Sequence, residues 1–389
     1  MRILFINDMY TVGGATKALC EMLIRLKKIG HDPIVCTSFS DWFNEYLSSV
    51  GIMSIVDEHI PVMEVIPDCI NNKNIWIQKR RIKYFIKRFK SMRIIENSID
   101  MRTIDIIHTN SIRNDIGCML SKKYHIPHIA HVREFGIEHF SCKVHMPFYF
   151  YYLNMRCNKI ITVSNALKRS MLKRGIIKNK ICTLYDGVDF DGFIVNENNI
   201  MINNRLNIVM VGGICETKGQ GIALQALNHL PKDIYKNVYI DFIGWCDPSY
   251  MDRLNKYIIN NGLYDHVRFL GEKKNVAKYL HNYNVGLMCS KSEGFGRVTA
   301  EYMYSGLAVI AADSGASPEL IRNNERGLIY NRNDFNDLSE KIIKLYKNPE
   351  LMRIYGRNAH IHAEKYYSIN RFMSKLLLLY NEVVGETNE

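Results

Sequence analysis

Ser292-Glu293-Gly294-Phe295-Gly296-Arg297-Val298-Thr299-Ala300-Glu301 is the stretch on which the reading of the chain turns. Its two glutamates stand eight positions apart. On one continuous helix that spacing puts them about 80° apart around the axis, a poor arrangement for joint work on one ligand. The glycines change the picture. Val285-Gly286-Leu287-Met288-Cys289 reads as a buried strand, and Val298-Thr299-Ala300-Glu301-Tyr302-Met303 reads as a helix, so Gly294 and Gly296 fall in the turn between them. Glu293 then lies in a strand-to-helix loop and Glu301 about one turn into the helix. Bare backbone N–H groups at such a helix start favour phosphate, and carboxylates suit sugar hydroxyls. A capped surface helix carrying two solvated glutamates satisfies the same spacing.

Farther along come Gly306-Leu307-Ala308-Val309-Ile310-Ala311-Ala312-Asp313 and Ser317-Pro318-Glu319-Leu320-Ile321. Together with the Glu293–Glu301 pair these resemble the nucleotide-sugar signature of glycosyltransferase family 4. The resemblance implies an α/β protein of the GT-B fold, two Rossmann-like doubly wound domains facing across a cleft. It also implies a nucleoside-diphosphate sugar, UDP- or GDP-linked, as donor substrate, with no cofactor and no metal. It spans nearly the whole chain and is sharpest from Gly212 to Ile321.

The 389 residues are ample for two domains, and an apolar content of 47% is that of a packed globular protein rather than a disordered one. No apolar run is long enough to span a bilayer, and Met1-Arg2-Ile3-Leu4-Phe5-Ile6-Asn7 reads as a first buried strand rather than a signal peptide. Ten cysteines are scattered without a Cys-x2-Cys pair, which argues against a zinc or disulfide framework and for reduced thiols. The net charge of +12 calls for an anionic partner, a nucleotide or a membrane surface before a nucleic acid. A cytoplasmic protein, peripheral on the cytoplasmic membrane face, is the expectation.

Taken in order, the first strand meets Gly13-Gly14 and a helix from about Ala15 to Ile29, with Leu19, Met22, Leu23 and Leu26 on one stripe and Gly30 at its end. Strand, glycine turn and helix open a Rossmann-like domain, and the missing G-x-G-x-x-G counts against an NAD enzyme. In the resembling family this loop borders the cleft, so Gly13 and Gly14 are expected near donor phosphate or acceptor; a tight turn needing glycine is the plainer reading. Between Ile75 and Arg93, Ile82, Phe85, Ile86 and Phe89 form an apolar stripe flanked by Lys and Arg. Such a helix suits an anionic membrane surface, and equally suits ordinary packing on the domain.

His125, His128 and His131 lie around an apolar segment with Pro127, which reads as a strand. Residues three apart there point to opposite faces, so joint metal binding is not expected. The resemblance makes His131 a cleft histidine on the acceptor side, touching the sugar, with Arg133-Glu134 beside it. Cys182-Thr183-Leu184-Tyr185-Asp186-Gly187-Val188-Asp189 resembles the family's Asn-Gly-Val-Asp segment, with Asp186 in place of Asn. Asp189-Phe190-Asp191 is a D-x-D at the domain junction, where GT-B enzymes do not hold a metal.

The domain scheme is therefore residues 1–190, an Asn-rich linker 191–206, a nucleotide-sugar domain 207–365, and a terminal helix 366–389 returning towards the first domain. In the second domain Lys218 matches the family's diphosphate lysine, whereas Gly213 stands where an arginine is usual. The implied roles are Lys218 with Arg297 and the Phe295-Gly296 loop on the diphosphate, Glu301 on the ribose, and Glu293 on donor-sugar hydroxyls. Glu293, Lys218 and His131 form the expected catalytic set of a retaining glycosyltransferase acting on a glycan or lipid-linked acceptor. A nucleotide-sugar epimerase of the same fold, or a non-catalytic nucleotide-sugar-binding subunit of a membrane assembly, are the rival readings.

Overall fold

The computed structural model describes residues 1–7, 13–38, 42–57, 61–65, 75–137 and 142–385. These fall into two compact units, Met1–Gly187 with Ile369–Glu389, and Val188–Ser368.

The first unit contains β1 (Arg2–Asn7), β2 (Asp32–Thr37), β3 (Met53–Val56), β4 (Met63–Val65), β5 (Ile106–Thr109), β6 (His128–Val132), β7 (Cys142–Val144), β8 (Lys159–Thr162) and β9 (Ile181–Thr183). Seven of these make a sheet in the order β3-β2-β1-β5-β6-β8-β9, with every pairing parallel. Parallel strands covered on both faces read as continuous apolar runs, as Ile3-Leu4-Phe5-Ile6 does. Ile3 and Phe5 join one core cluster, Leu4 and Ile6 the other. The helix Gly14–Lys28 buries Leu19, Met22, Leu23 and Leu26, the stripe read from the sequence. The terminal helix Ile369–Gly385 belongs to the same cluster through Ile369, Phe372, Met373, Leu376, Tyr380 and Val383. At about 2 kcal/mol for each large apolar side chain removed from water, that face holds the helix on the sheet.

The helix Ile75–Ser98 docks through Ile77, Tyr84, Ser91, Met92 and Ile95. The stripe seen in the sequence is a different face. Ile82, Phe85, Ile86 and Phe89 are 62%, 39%, 67% and 59% exposed. Packing on the domain therefore does not account for them among the described residues. Arg80 lies against Glu64, its Nε 2.9 Å from Oε2, and Arg88 Nη1 is 3.3 Å from Asp115 Oδ2.

The second unit contains β10 (Leu206–Val211), β11 (Val238–Ile243), β12 (Val267–Phe269), β13 (Val285–Met288), β14 (Ala308–Ala312) and β15 (Gly327–Tyr330), in the parallel order β12-β11-β10-β13-β14-β15. The order reverses between β10 and β13, and ligands of open parallel sheets bind outside the carboxyl ends of the strands at such a point. The boundary lies between Gly187 and Val188, and residues 191–206 are not a free linker. Asn199 Nδ2 donates to the carbonyls of Asn284 (3.0 Å) and Gly306 (3.2 Å), and Asn196 Nδ2 donates to that of Tyr283 (3.1 Å). Asparagines, which read as loop composition, here satisfy the buried backbone ends of β13 and β14.

Candidate active site

The loop after β13 and the turn after β10 flank the reversal in the second sheet. The helix Arg297–Tyr304 begins after Gly296, whose φ is 91°. Glu301, its fifth residue, is buried, and Glu293 sits half-buried in the loop before it. Tyr302 seats this helix: Val211 N–H, at the end of β10, donates to its hydroxyl at 2.6 Å. Ala316 N–H donates to the Glu293 carbonyl at 3.0 Å, fixing the loop from the β14 side.

The turn after β10 is bound to the same loop. Lys291 N–H donates to the Thr217 carbonyl at 2.9 Å. Gly219, at φ 79°, approaches the Cys289 carbonyl so closely that a Cβ there would collide with it. These ties carry Lys218 to Glu293, Nζ to Oε1 2.6 Å. The glutamate's charge raises the lysine's affinity for its proton, outweighing burial. Phe295 is buried edge-to-face with Tyr367, ring centroids 5.3 Å apart, and Arg297 is buried at the helix start. Glu293 and Lys218 are thus directly paired, with Gly296, Arg297 and Glu301 on the adjoining loop and helix.

Gly213 lies under an indole. A Cβ on Gly213 would sit 2.6 Å from Trp245 Cε2 and 2.8 Å from its Nε1, so no larger residue fits without moving Trp245. Trp245 was not singled out from the sequence. A tryptophan directly after Gly244, at the end of a strand, was the available signal.

In the first unit His131, expected on the acceptor side, is fully buried. Its Nδ1 lies 3.3 Å from His108 Nε2 and 3.4 Å from Arg133 Nη2, and its ring stacks on Phe372 at 6.4 Å. His108 Nδ1 is 2.7 Å from Tyr380 Oη on the terminal helix. Burial and the Arg133 cation hold both imidazoles well below their ordinary pKa, hence neutral. Arg133 donates to Asn110 Oδ1 at 2.7 Å and to Asp186 Oδ1 at 2.6 Å. Aspartate at 186, which departs from the family's Asn, is answered by this buried cation. Gly13 caps the helix Gly14–Lys28 in extended backbone, both glycines exposed, and the residues immediately before them lie outside the described set.

His125, His128 and His131 do not converge. His125 is exposed past a helix end, His128 faces Thr109 Oγ1 at 2.8 Å, and His131 faces His108. The fold does join residues that spacing could not: Cys118, His128 and Cys157 have ligand atoms within 4.8 Å of one another, all buried. Asp189-Phe190-Asp191 is a turn pinned by Phe190 stacked on Tyr304 at 3.9 Å.

A family profile described as Glycosyltransferase Family 4 matches residues 12–191, and one described as Glycosyl transferases group 1 matches residues 196–362. An uncharacterized glycosyltransferase of Methanocaldococcus jannaschii is 27% identical over 371 residues, covering 94% of each chain. The lipopolysaccharide core biosynthesis mannosyltransferase LpcC of Rhizobium leguminosarum bv. viciae is 30% identical over 138 residues, 36% of this chain and 39% of its own. Among solved structures, HepE of Anabaena in complex with UDP superposes with a TM-score of 0.81 at 19% identity, covering 98% of this chain and 100% of that one. The same protein has been seen with UDP-glucose, at a TM-score of 0.78 and 19% identity, covering 98% of this chain and 100% of that one. With both units matched and two parallel sheets of the Rossmann kind, the chain belongs to glycosyltransferase family 4 and has the GT-B fold.

Proposed function

We propose that the protein is a retaining, metal-independent glycosyltransferase. It moves a sugar from a UDP- or GDP-linked donor to a glycan acceptor, lipid-linked, in cell-surface polysaccharide or glycolipid synthesis. The observation that carries this reading is the Lys218–Glu293 pair at the reversal of the second sheet, 2.6 Å apart. Breaking the anomeric C–O bond leaves charge on the departing diphosphate and oxocarbenium character on the sugar. Lys218 and the N–H groups at Phe295-Gly296 meet the first, and preorganised charges of this kind supply most of such a rate enhancement. Glu293 binds the sugar hydroxyls and Glu301 the ribose. The acceptor oxygen forms its bond on the face the diphosphate leaves, and its proton passes to a diphosphate oxygen. His131 lines the acceptor side and binds the sugar, its Nδ1 beside His108 and Arg133.

The name of LpcC and the exposed stripe of the helix Ile75–Ser98 support the choice of acceptor. Ile82, Phe85, Ile86 and Phe89 beside exposed Lys79, Lys83, Lys90 and Arg93 suit an anionic bilayer surface. No helix among the described residues is long and apolar enough to cross a membrane; the contact proposed is peripheral, at the cytoplasmic face. The test is incubation with labelled UDP- and GDP-sugars, scoring hydrolysis and transfer. Gly213, covered by Trp245 rather than bearing a cation, favours the rival of a non-catalytic nucleotide-sugar-binding subunit. A thermal shift with nucleoside diphosphate but no hydrolysis of any donor would select that rival.

A further inference from the structure

Trp245 is held where an exposed tryptophan has no structural need to be. Its indole is 52% exposed, yet its backbone is tied down: Ile214 N–H donates to the Trp245 carbonyl at 2.7 Å, and Asp247 N–H to the Ile214 carbonyl at 2.9 Å. A glycine lies beneath the ring, leaving one face of the indole against Gly213. Asp247 caps the next helix, accepting from Ser249 N–H at 2.9 Å and Tyr250 N–H at 3.1 Å, so the loop is fixed on both sides. Rigid aromatic area of this kind costs little entropy to use and suits a flat ligand.

Its place in the sheet says which part of the ligand. The strands run β11, β10, β13 across the site. Glu293 follows β13, the glycine turn follows β10, and Trp245 follows β11. A Cβ built on Gly212 would lie 3.9 Å from Lys218 Cε and one built on Gly213 2.6 Å from Trp245 Cε2, so both side chains border that turn. A donor with its sugar at Glu293 and its diphosphate at Lys218 extends its nucleoside end towards β11. We propose that Trp245 is a stacking platform for the donor's nucleobase, a binding contact that rests on the nucleotide-sugar reading above. Each base-on-aromatic stack is worth about a 5- to 150-fold change in affinity.

The probe is Trp245 itself. The chain has three tryptophans, and Trp42 and Trp76 lie in the first unit, so a W42F/W76F variant reports Trp245 fluorescence alone. Titration with UDP, GDP, UMP, GMP, inorganic pyrophosphate and glucose 1-phosphate is expected to give saturable quenching with the nucleotides and none with the other two. In the otherwise wild-type protein, Trp245→Ala should weaken nucleoside diphosphate binding by about 5- to 150-fold, with Trp245→Phe recovering much of it. Quenching by pyrophosphate or sugar phosphate, or unchanged affinity in Trp245→Ala while Lys218→Ala binds weakly, would overturn the platform and leave the donor reading standing. Failure of the wild type to bind any nucleoside diphosphate would overturn both.

Discussion

Lys218 Nζ lies 2.6 Å from Glu293 Oε1, two side chains 75 positions apart that the loops after β10 and β13 bring together. Each charge satisfies the other. A donor diphosphate would compete for the lysine and a donor sugar for the glutamate. Lys218→Ala is therefore expected to lower kcat/KM by about 30- to 1,000-fold, the equivalent of 2–4 kcal/mol for a charge-assisted contact in a partly dry site. Steady-state kinetics with the preferred donor checks this, and turnover within twofold of wild type would remove Lys218 from the site.

Activity should persist in EDTA. The D-x-D at Asp189-Phe190-Asp191 is a turn in which Asp191 N–H bonds Asp189 Oδ1 at 3.3 Å, and the Cys118, His128 and Cys157 group belongs to the first unit, whereas Lys218 and Glu293 belong to the second. Complete loss with chelator, restored by manganese or magnesium, would overturn the metal-independent chemistry.

Membrane binding is checked by co-sedimentation with liposomes. Arg80 and Arg88 are committed to Glu64 and Asp115, so reversing them would damage the fold rather than test the surface. The informative variant reverses Lys79, Lys83, Lys90 and Arg93, which are exposed. At about 1 kcal/mol per basic residue near an anionic surface, it should lose nearly all binding to anionic vesicles. Equal sedimentation of wild type with neutral vesicles, or no loss in the variant, would leave the helix as plain domain surface.

The buried pair Arg133–Asp186 predicts a stability effect in the first unit. Asp186→Ala leaves the guanidinium without its carboxylate, and breaking such a pair costs about 3–5 kcal/mol. Urea unfolding of the variant measures it. A loss below about 1 kcal/mol would mean the remaining contact to Asn110 suffices.

His362 gives a pH dependence. Burial first, and the Arg326 cation second, lower its pKa from 6.5 to about 4. The folded value is depressed, so the unfolded chain binds the proton first, and stability is lost as pH falls from 6.5 towards 4. With the ring only half-buried and screened, the loss is about 1–2 kcal/mol. His362→Gln should flatten the slope of unfolding free energy in that window; an unchanged slope would exclude this residue.

The local pattern of the chain determined its strands, its glycine turns and the stripe of the helix Gly14–Lys28, because these depend on periods of two and 3.6 and on neighbours in sequence. The same reasoning placed Glu293 in a loop and Glu301 in the helix. It could not say which face of Ile75–Ser98 docks, since an apolar stripe satisfies a core and a membrane alike, and the domain took Ile77 and Tyr84 instead. Nor could it bury His131, whose surroundings come from the distant Phe372 and from Tyr380 through His108. Spacing made Cys118, His128 and Cys157 solitary and Trp245 unremarked. Only the parallel crossovers, which set strands far apart in sequence side by side, brought the first three together and laid the indole over Gly213.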